Sequence, residues 1–212
     1  MGSNVIDTNE LSRSPFVIKV VKVFSPTLIW VHLKNTEEYF QEMMKELDLK
    51  LSNSQRPKCV GPKLNEVIAV ETRRGWQRAA INKFNADGTV QLHLRDWGEF
   101  IRRTPDELYC LEEKFKLRHW EAIPCSLAYI RPAVTGSNWS HWAIKITRSI
   151  AKEQTGFMRI IKPIHHELAF INLDLKNETS NTYHNLRDLL IQLGVVEGSA
   201  TITTNTAPTI KY

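Results

Sequence analysis

Apolar and polar positions alternate through most of this chain, and the places where the alternation stops divide it into short units. "PFVIKVVKVFSP" and "TLIWVHL" are β-branched and aromatic runs parted at Ser25-Pro26, which predicts a hairpin. The period then changes. Tyr39, Phe40, Met43, Met44 and Leu47 recur at spacings of three and four, so a helix capped by Asn35 or Thr36 is expected, with one packed face. "SNSQRPKCVGPK" at residues 52–63 carries two prolines, a glycine and few large apolar side chains. That is the composition of a connector, and it sets a boundary near residue 63.

Alternation resumes in "EVIAVE", "GWQRAAINKF", "TVQLHLRDW" and "EFIRR", short strands separated by Arg-Arg-Gly, Asn-Ala-Asp-Gly and Gly98. Asp87-Gly88 between two alternating runs is a strong hairpin signal. Four or five strands in so little chain imply a small, twisted antiparallel barrel, because they cannot fill a two-sheet sandwich. Further on, "AIPCSLAYIRP" reads as one strand ending at Pro132. "NWSHWAIKITRSIAKEQ" reads as a helix capped by Asn138, with Trp139, Trp142, Ala143, Ile146 and Ile150 on one face. "GFMRIIKPI" and "ELAFINLDLK" are strands flanking His165-His166, and "NTYHNLRDLLIQLG" is a last helix stopped by Gly194.

The N-terminal hairpin has too few strands to stand alone and the C-terminal strands lack a full set. Together they are expected to complete one β-barrel, with residues 64–118 inserted into it. The expected class is mostly β with helices (α+β). The expected division is a flexible lead at 1–14, the first part of the outer barrel with a linker helix at 15–63, the inserted barrel at 64–118, the remainder of the outer barrel at 119–198 and a flexible tail at 199–212.

With 212 residues, 42% of them hydrophobic, the chain can bury a substantial core. Its net charge of +5 is spread among interleaved acids and bases, so charge alone does not argue for nucleic acid. Cys59, Cys110 and Cys125 have no CxxC spacing and leave an odd one over, which predicts free thiols in a reducing compartment. No apolar run approaches the roughly 18–20 residues needed to cross a bilayer, and the N-terminus lacks signal-peptide character; a soluble intracellular protein with no membrane partner is expected.

Catalytic chemistry finds little to work with. "INLDLK" offers Asn172 and one acid, Asp174, and a single Asp does not hold a catalytic metal. Adjacent residues of a strand point to opposite faces, so His165-His166 is a poor ligand pair. No Cys has a His partner in motif context. The reading is a protein that is not an enzyme, with no cofactor and no metal.

"IAVETRRGWQRAAI", "VQLHLRDWGE", "HWEAIPCSLAYIRP" and "NWSHWA" together resemble the extended Tudor domain of germline Tudor proteins. The resemblance spans roughly residues 16–198, with the motifs in order and at the family's separations. It implies a Tudor barrel of SH3-like type inserted into a staphylococcal-nuclease-like OB-fold barrel and joined by a helix. It also implies binding of arginine-containing peptides, usually symmetrically dimethylated, from the N-termini of Piwi-clade Argonautes. The family setting is a scaffold of the piRNA pathway in cytoplasmic, perinuclear germ granules (nuage), where other germ-granule proteins are further candidate partners.

In that family an aromatic cage encloses the methylated guanidinium, which keeps its charge but has lost donors, so cation–π and apolar contacts replace hydrogen bonds. Carried over, the four ring positions look like Glu71, Gln77, Leu94 and Trp97, beside Asp96 of the turn motif. The Asn that usually bonds the guanidinium becomes Glu99. "TRRG" departs from the family's first turn, which affects the Glu71 assignment most. Only Trp97 keeps a ring, and each lost cation–π wall removes roughly 0.5–2 kcal/mol. The cage is therefore incomplete, and preference for the methyl mark is expected to vanish. An unmodified arginine instead presents five donors suited to carboxylates. The expectation is a peptide reader indifferent to methylation, or hindered by it, with Trp120, Tyr129 and Trp142 as contributors to further peptide contacts.

Plainer alternatives stand beside it. Trp97 packs against the Phe100 side of the barrel, the two glutamates are solvated surface charge, and the three other aromatics serve packing. The other functional class is single-stranded RNA binding, with Lys19, Lys22, Arg73, Arg74, Arg78, Arg102 and Arg103 as its basic residues. A self-associating scaffold is a third reading, although no oligomerisation heptad is visible.

Overall fold

Residues 16–33 form the hairpin that the alternation predicts. In the structure, a computed structural model that describes residues 6–11, 15–53, 56–134, 138–165, 168–177 and 179–202, the elements follow in this order. β1 (Phe16–Ser25) and β2 (Leu28–Leu33) lead into α1 (Glu37–Asn53). Then come β3 (Val67–Thr72), β4 (Gly75–Phe84), β5 (Val90–Leu94), β6 (Glu99–Arg103) and a short α2 (Glu113–Lys116). The last group is β7 (Ile123–Leu127), β8 (Ile130–Pro132), α3 (His141–Ala151), β9 (Thr155–His165), β10 (Leu168–Asn177), β11 (Thr182–Asn185), α4 (Leu186–Gln192) and β12 (Val196–Gly198). Residues 36–121 form one compact unit, and the described residues before and after them form the other.

The discontinuous unit is a closed five-stranded barrel. β1 pairs with β2 and β9, β2 with β7, β7 in parallel with β10, and β10 closes onto β9. One parallel pair in an otherwise antiparallel ring of this strand order is the OB fold. Its core draws on Ile18, Val20, Val31, Cys125, Ile171 and Leu173, each at most 1% exposed. Closure is tight where β9 passes β10: a Cβ at Gly156 would lie 2.1 Å from the carbonyl oxygen of Asp174. Gly156→Ala is therefore expected to lower stability by about 1–3 kcal/mol, the range for forcing extra atoms into a packed interior, and a urea unfolding curve measures it.

The continuous unit is a meander, β3-β4-β5-β6, extended by Tyr109, which bridges to Ala69 and to Lys58. Ile68, Val70, Ala79, Ile81, Leu92 and Leu94 fill its interior. A second cluster joins Phe40, Met43 and Leu47 of α1 to Trp76, Leu111 and Phe115, so the helix packs its apolar stripe on this unit. Tyr39 is not in the stripe: it is exposed, and Leu51 extends the buried face instead. The two components that the resemblance implies, an SH3-like meander and an OB barrel that it interrupts in sequence, are thus both present.

Several local expectations are corrected. The run at residues 122–132 is two strands, broken where Tyr129 takes a φ of +58°. α3 is capped by Ser140, whose hydroxyl oxygen accepts from the Ala143 N–H at 3.0 Å, and not by Asn138. Trp142 points outward, while Thr147 and Ala151 join Ala143 on the buried face. The last helix begins at Leu186, because Thr182–Asn185 pairs with β10 as β11; Asn185 then caps α4, and Gly194 stops it at a φ of +66°. Within the lead, Ile6 and Leu11 pack against the OB core and Thr8 is buried. Most of the tail, His166 and the His165 side chain lie outside the described residues.

Candidate functional site

Two turns build the site. The first is Arg73-Arg74 between β3 and β4. The Thr72 hydroxyl donates to the Gly75 carbonyl at 3.1 Å and accepts from the Arg74 N–H at 3.0 Å, while Gly75 sits at a φ of +84°. That backbone conformation favours glycine, and a Cβ there would also meet Asp48 Oδ1 at 2.7 Å. Asp48 of α1 accepts from the Trp76 N–H at 3.1 Å, which ties the helix to the turn.

The second turn joins β5 to β6. The Trp97 N–H donates to the Leu94 carbonyl at 2.9 Å, and Gly98 follows at a φ of +62°. Trp97 is opposite in parity to the inward Val90, Leu92 and Leu94, and the turn leaves its ring partly buried against both apolar clusters of this unit. Its indole is half-buried and meets Phe40 edge-on at 5.6 Å, while Phe100 stacks on His93 at 4.2 Å. The expected alternative of Trp97 against Phe100 is therefore replaced by Trp97 against the helix. The indole Nε1–H donates to Gln77 Oε1 at 2.7 Å, and Gln77 Nε2 donates to the Arg74 carbonyl at 3.3 Å. Gln77, 2% exposed, thus fixes the ring to the first turn instead of forming a wall that a ligand touches.

Onto that ring the chain lays its own cation. The Arg74 guanidinium carbon lies 4.8 Å from the centre of Trp97, and Nη1 donates to Glu99 Oε2 at 2.7 Å. Arg74, Gln77, Trp97 and Glu99 are therefore one constellation. Glu71 stands apart from this set of bonds: it is an exposed residue paired with Trp76 along the ladder, and its backbone carbonyl accepts from Arg103. Leu94 is 1% exposed in the barrel core, so it is not a pocket wall; it shares the parity of Leu92, which settles its face.

Asp96 has a different role from the one transferred to it. It is 1% exposed and takes a two-point ion pair from Arg78, with Nε at 2.8 Å from Oδ2 and Nη2 at 2.6 Å from Oδ1. Arg78 Nη1 also donates to the carbonyls of Phe115 at 2.7 Å and Arg118 at 3.0 Å, and Nη2 to that of His119 at 2.8 Å. Asp96 Oδ1 accepts from the Glu121 N–H at 2.9 Å, and the Trp120 ring lies 4.6 Å from the guanidinium carbon. This buried hub holds residues 115–121 on the barrel. Neither Arg78 nor Asp96 faces a ligand, which removes Arg78 from the basic residues counted toward RNA. No signal in the sequence marks the hub apart from the parity of Arg78 with Trp76.

Other chemistry is sparse. Burial pushes the His93 imidazole down to about 3, so it is neutral under Phe100 at physiological pH. The three cysteines are unbridged, and burial raises the thiols of Cys59, to about 11, and of Cys125. Among the described residues, no three His, Cys, Asp or Glu side chains converge so as to hold a metal ion, and no helix is long and apolar enough to cross a membrane.

Comparison with known proteins gives this geometry a family. The Tudor-domain model matches residues 13–129. Human RING finger protein 17 is 26% identical over 124 residues, which make up 58% of this chain but only 8% of that protein. Among solved structures, the third extended Tudor domain of mouse TDRD1, in complex with a MILI peptide containing dimethylarginine, has a TM-score of 0.80 at 16% identity, covering 92% of this chain and 99% of that one. An Asp-to-Ala variant of the extended Tudor domain of Drosophila melanogaster Papi, in complex with an unmethylated Piwi N-terminal peptide, has a TM-score of 0.73 at 19% identity, covering 87% and 99%. Each of these two neighbours holds a peptide. The chain belongs to the Tudor-domain family and has the extended Tudor fold.

Proposed function

We propose that this chain is a non-catalytic reader of an unmodified arginine in an extended peptide, with the Trp97 face and the Glu99 carboxylate as the arginine subsite. One observation carries the reading: the constellation already accommodates a bare guanidinium, that of Arg74, through ring stacking at 4.8 Å and a charge-assisted hydrogen bond at 2.7 Å. A cage for dimethylarginine surrounds the cation with rings, whereas here a carboxylate stands beside a single ring and asks for N–H donors. Symmetric dimethylation removes one donor from each terminal nitrogen and so works against this arrangement.

The ligand best suited to the site is the arginine-rich N-terminal segment of a Piwi-clade Argonaute, unmethylated, bound by a scaffold of the piRNA pathway in germ granules. The support is the family, together with a MILI peptide containing dimethylarginine on one structural neighbour and an unmethylated Piwi N-terminal peptide on another. Single-stranded RNA is disfavoured, since Arg78 is interior and Arg74 and Arg103 are paired with Glu99 and Glu107.

Calorimetric titration with matched peptides tests the reading. The unmodified peptide is expected to bind at least as tightly as the symmetrically dimethylated one, with dimethylation weakening binding by up to about fivefold, the value of one partly exposed charge-assisted bond. A clear preference for the dimethylated peptide overturns it. Failure of both peptides, with RNA affinity that falls steeply with salt, replaces it by the RNA reading.

A further inference from the structure

We infer that Arg74 is an in-chain occupant of the arginine subsite, so that a peptide arginine binds by displacing it. This rests on the reading of Trp97 and Glu99 as that subsite. Arg74 makes with them the two contacts that a bare peptide guanidinium would make, a cation over the indole and a hydrogen-bonded ion pair with the carboxylate. Two guanidinium groups cannot share one face of the ring and one carboxylate oxygen, because like charges in contact repel and the donors compete for the same lone pairs.

The anchoring is suited to exchange. The backbone of the Arg73-Arg74 turn is held by Thr72, Gln77 and Gly75, so the turn stays in place when the side chain swings away. The Arg74 side chain itself is 46% exposed, against 22% for Glu99. A long side chain on a fixed turn reaches solvent without unfolding anything, and the departing cation regains hydration. The ring does not swing with it, because Gln77 and Phe40 hold it.

The consequence is a threshold. Only the fraction of molecules with Arg74 displaced is competent, and the apparent affinity is reduced by that fraction. One part-exposed ion pair and one exposed cation–π contact together bias the closed form by about 5-fold to 30-fold. An isolated arginine meets the same bias with nothing to offset it, whereas a peptide that adds flanking contacts overcomes it.

The test compares the wild-type domain with Arg74→Ala, Arg73→Ala and Arg74→Ala combined with Trp97→Ala, using the unmodified arginine-rich peptide in calorimetry and the Trp97 indole N–H resonance with arginine amide as probe. Arg74→Ala is expected to bind the peptide about 5-fold to 30-fold more tightly. Arg73→Ala, which removes the same charge from the same turn, should leave affinity unchanged. Weaker or unchanged binding by Arg74→Ala overturns the inference, as does an equal gain from Arg73→Ala, which would mark a net-charge effect. In Arg74→Ala the indole resonance should shift on adding arginine amide at concentrations that leave the wild-type resonance in place; equal responses in the two proteins overturn the inference without peptide data. If instead the double variant keeps the tight peptide binding, the peptide arginine lies elsewhere, and the subsite reading fails even if the indole experiment shows Arg74 covering the ring.

Discussion

Arg78→Ala should cost the domain about 3–5 kcal/mol, enough to unfold much of the population of a marginally stable domain. The guanidinium is 1% exposed and makes five hydrogen bonds, two to Asp96 and three to the carbonyls of Phe115, Arg118 and His119. Truncation leaves the Asp96 carboxylate interior without its counter-ion and strips donors from three carbonyls of one segment, so the penalty is that of uncompensated buried charge and not of one lost contact. Arg78→Lys should recover little, because an ammonium has three donors on a point and cannot span a carboxylate and three carbonyls as the planar fork does. Arg78→Met with Asp96→Leu removes both charges and should fall between Arg78→Ala and the wild type. Urea unfolding followed by Trp fluorescence measures all of these; a loss below about 1 kcal/mol for Arg78→Ala would show that the hub is not what holds residues 115–121.

Trp97→Ala is expected to weaken binding of the unmodified peptide by about 30-fold to 100-fold, the range for truncating an aromatic anchor at the centre of a contact. Since the ring also packs on Phe40 and against both clusters of its unit, the variant will lose some stability, and binding has to be measured where it is still folded. Trp97→Phe separates the two roles. It keeps a face for the cation but loses the Nε1–H that Gln77 accepts, so the ring is less well oriented, and an intermediate affinity is expected. A Trp97→Ala domain that is folded and binds like the wild type would place the arginine subsite on another surface.

These two residues also show how differently the sequence informs fold and site. Trp97 was legible as an aromatic at the lip of the strand, outside its core register, because a turn glycine follows it and a strand of clear parity precedes it, both local facts. Leu94 was equally legible as a core residue from the register of Val90 and Leu92, yet motif transfer assigned it to the pocket, and the strand's period of two prevailed. Misplaced boundaries have a similar cause. The run at residues 182–185 can continue a helix or pair as a strand, and the free edge of β10 decides for the strand.

By itself the sequence determined the hairpins, the interruption of one barrel by another, the amphipathic linker helix and the exceptional position of Trp97, because alternation, turn residues and apolar spacing act over a few neighbouring residues. Only the tertiary structure decided which charges are spent internally. Arg74 and Arg78 lie four residues apart in the same basic stretch, but one reaches Glu99 across a turn and the other is buried on Asp96 beneath residues 115–121. The partner of a charge is set by which distant segments the folded chain brings within hydrogen-bonding reach, and by how much water remains there, and neither is written in local spacing.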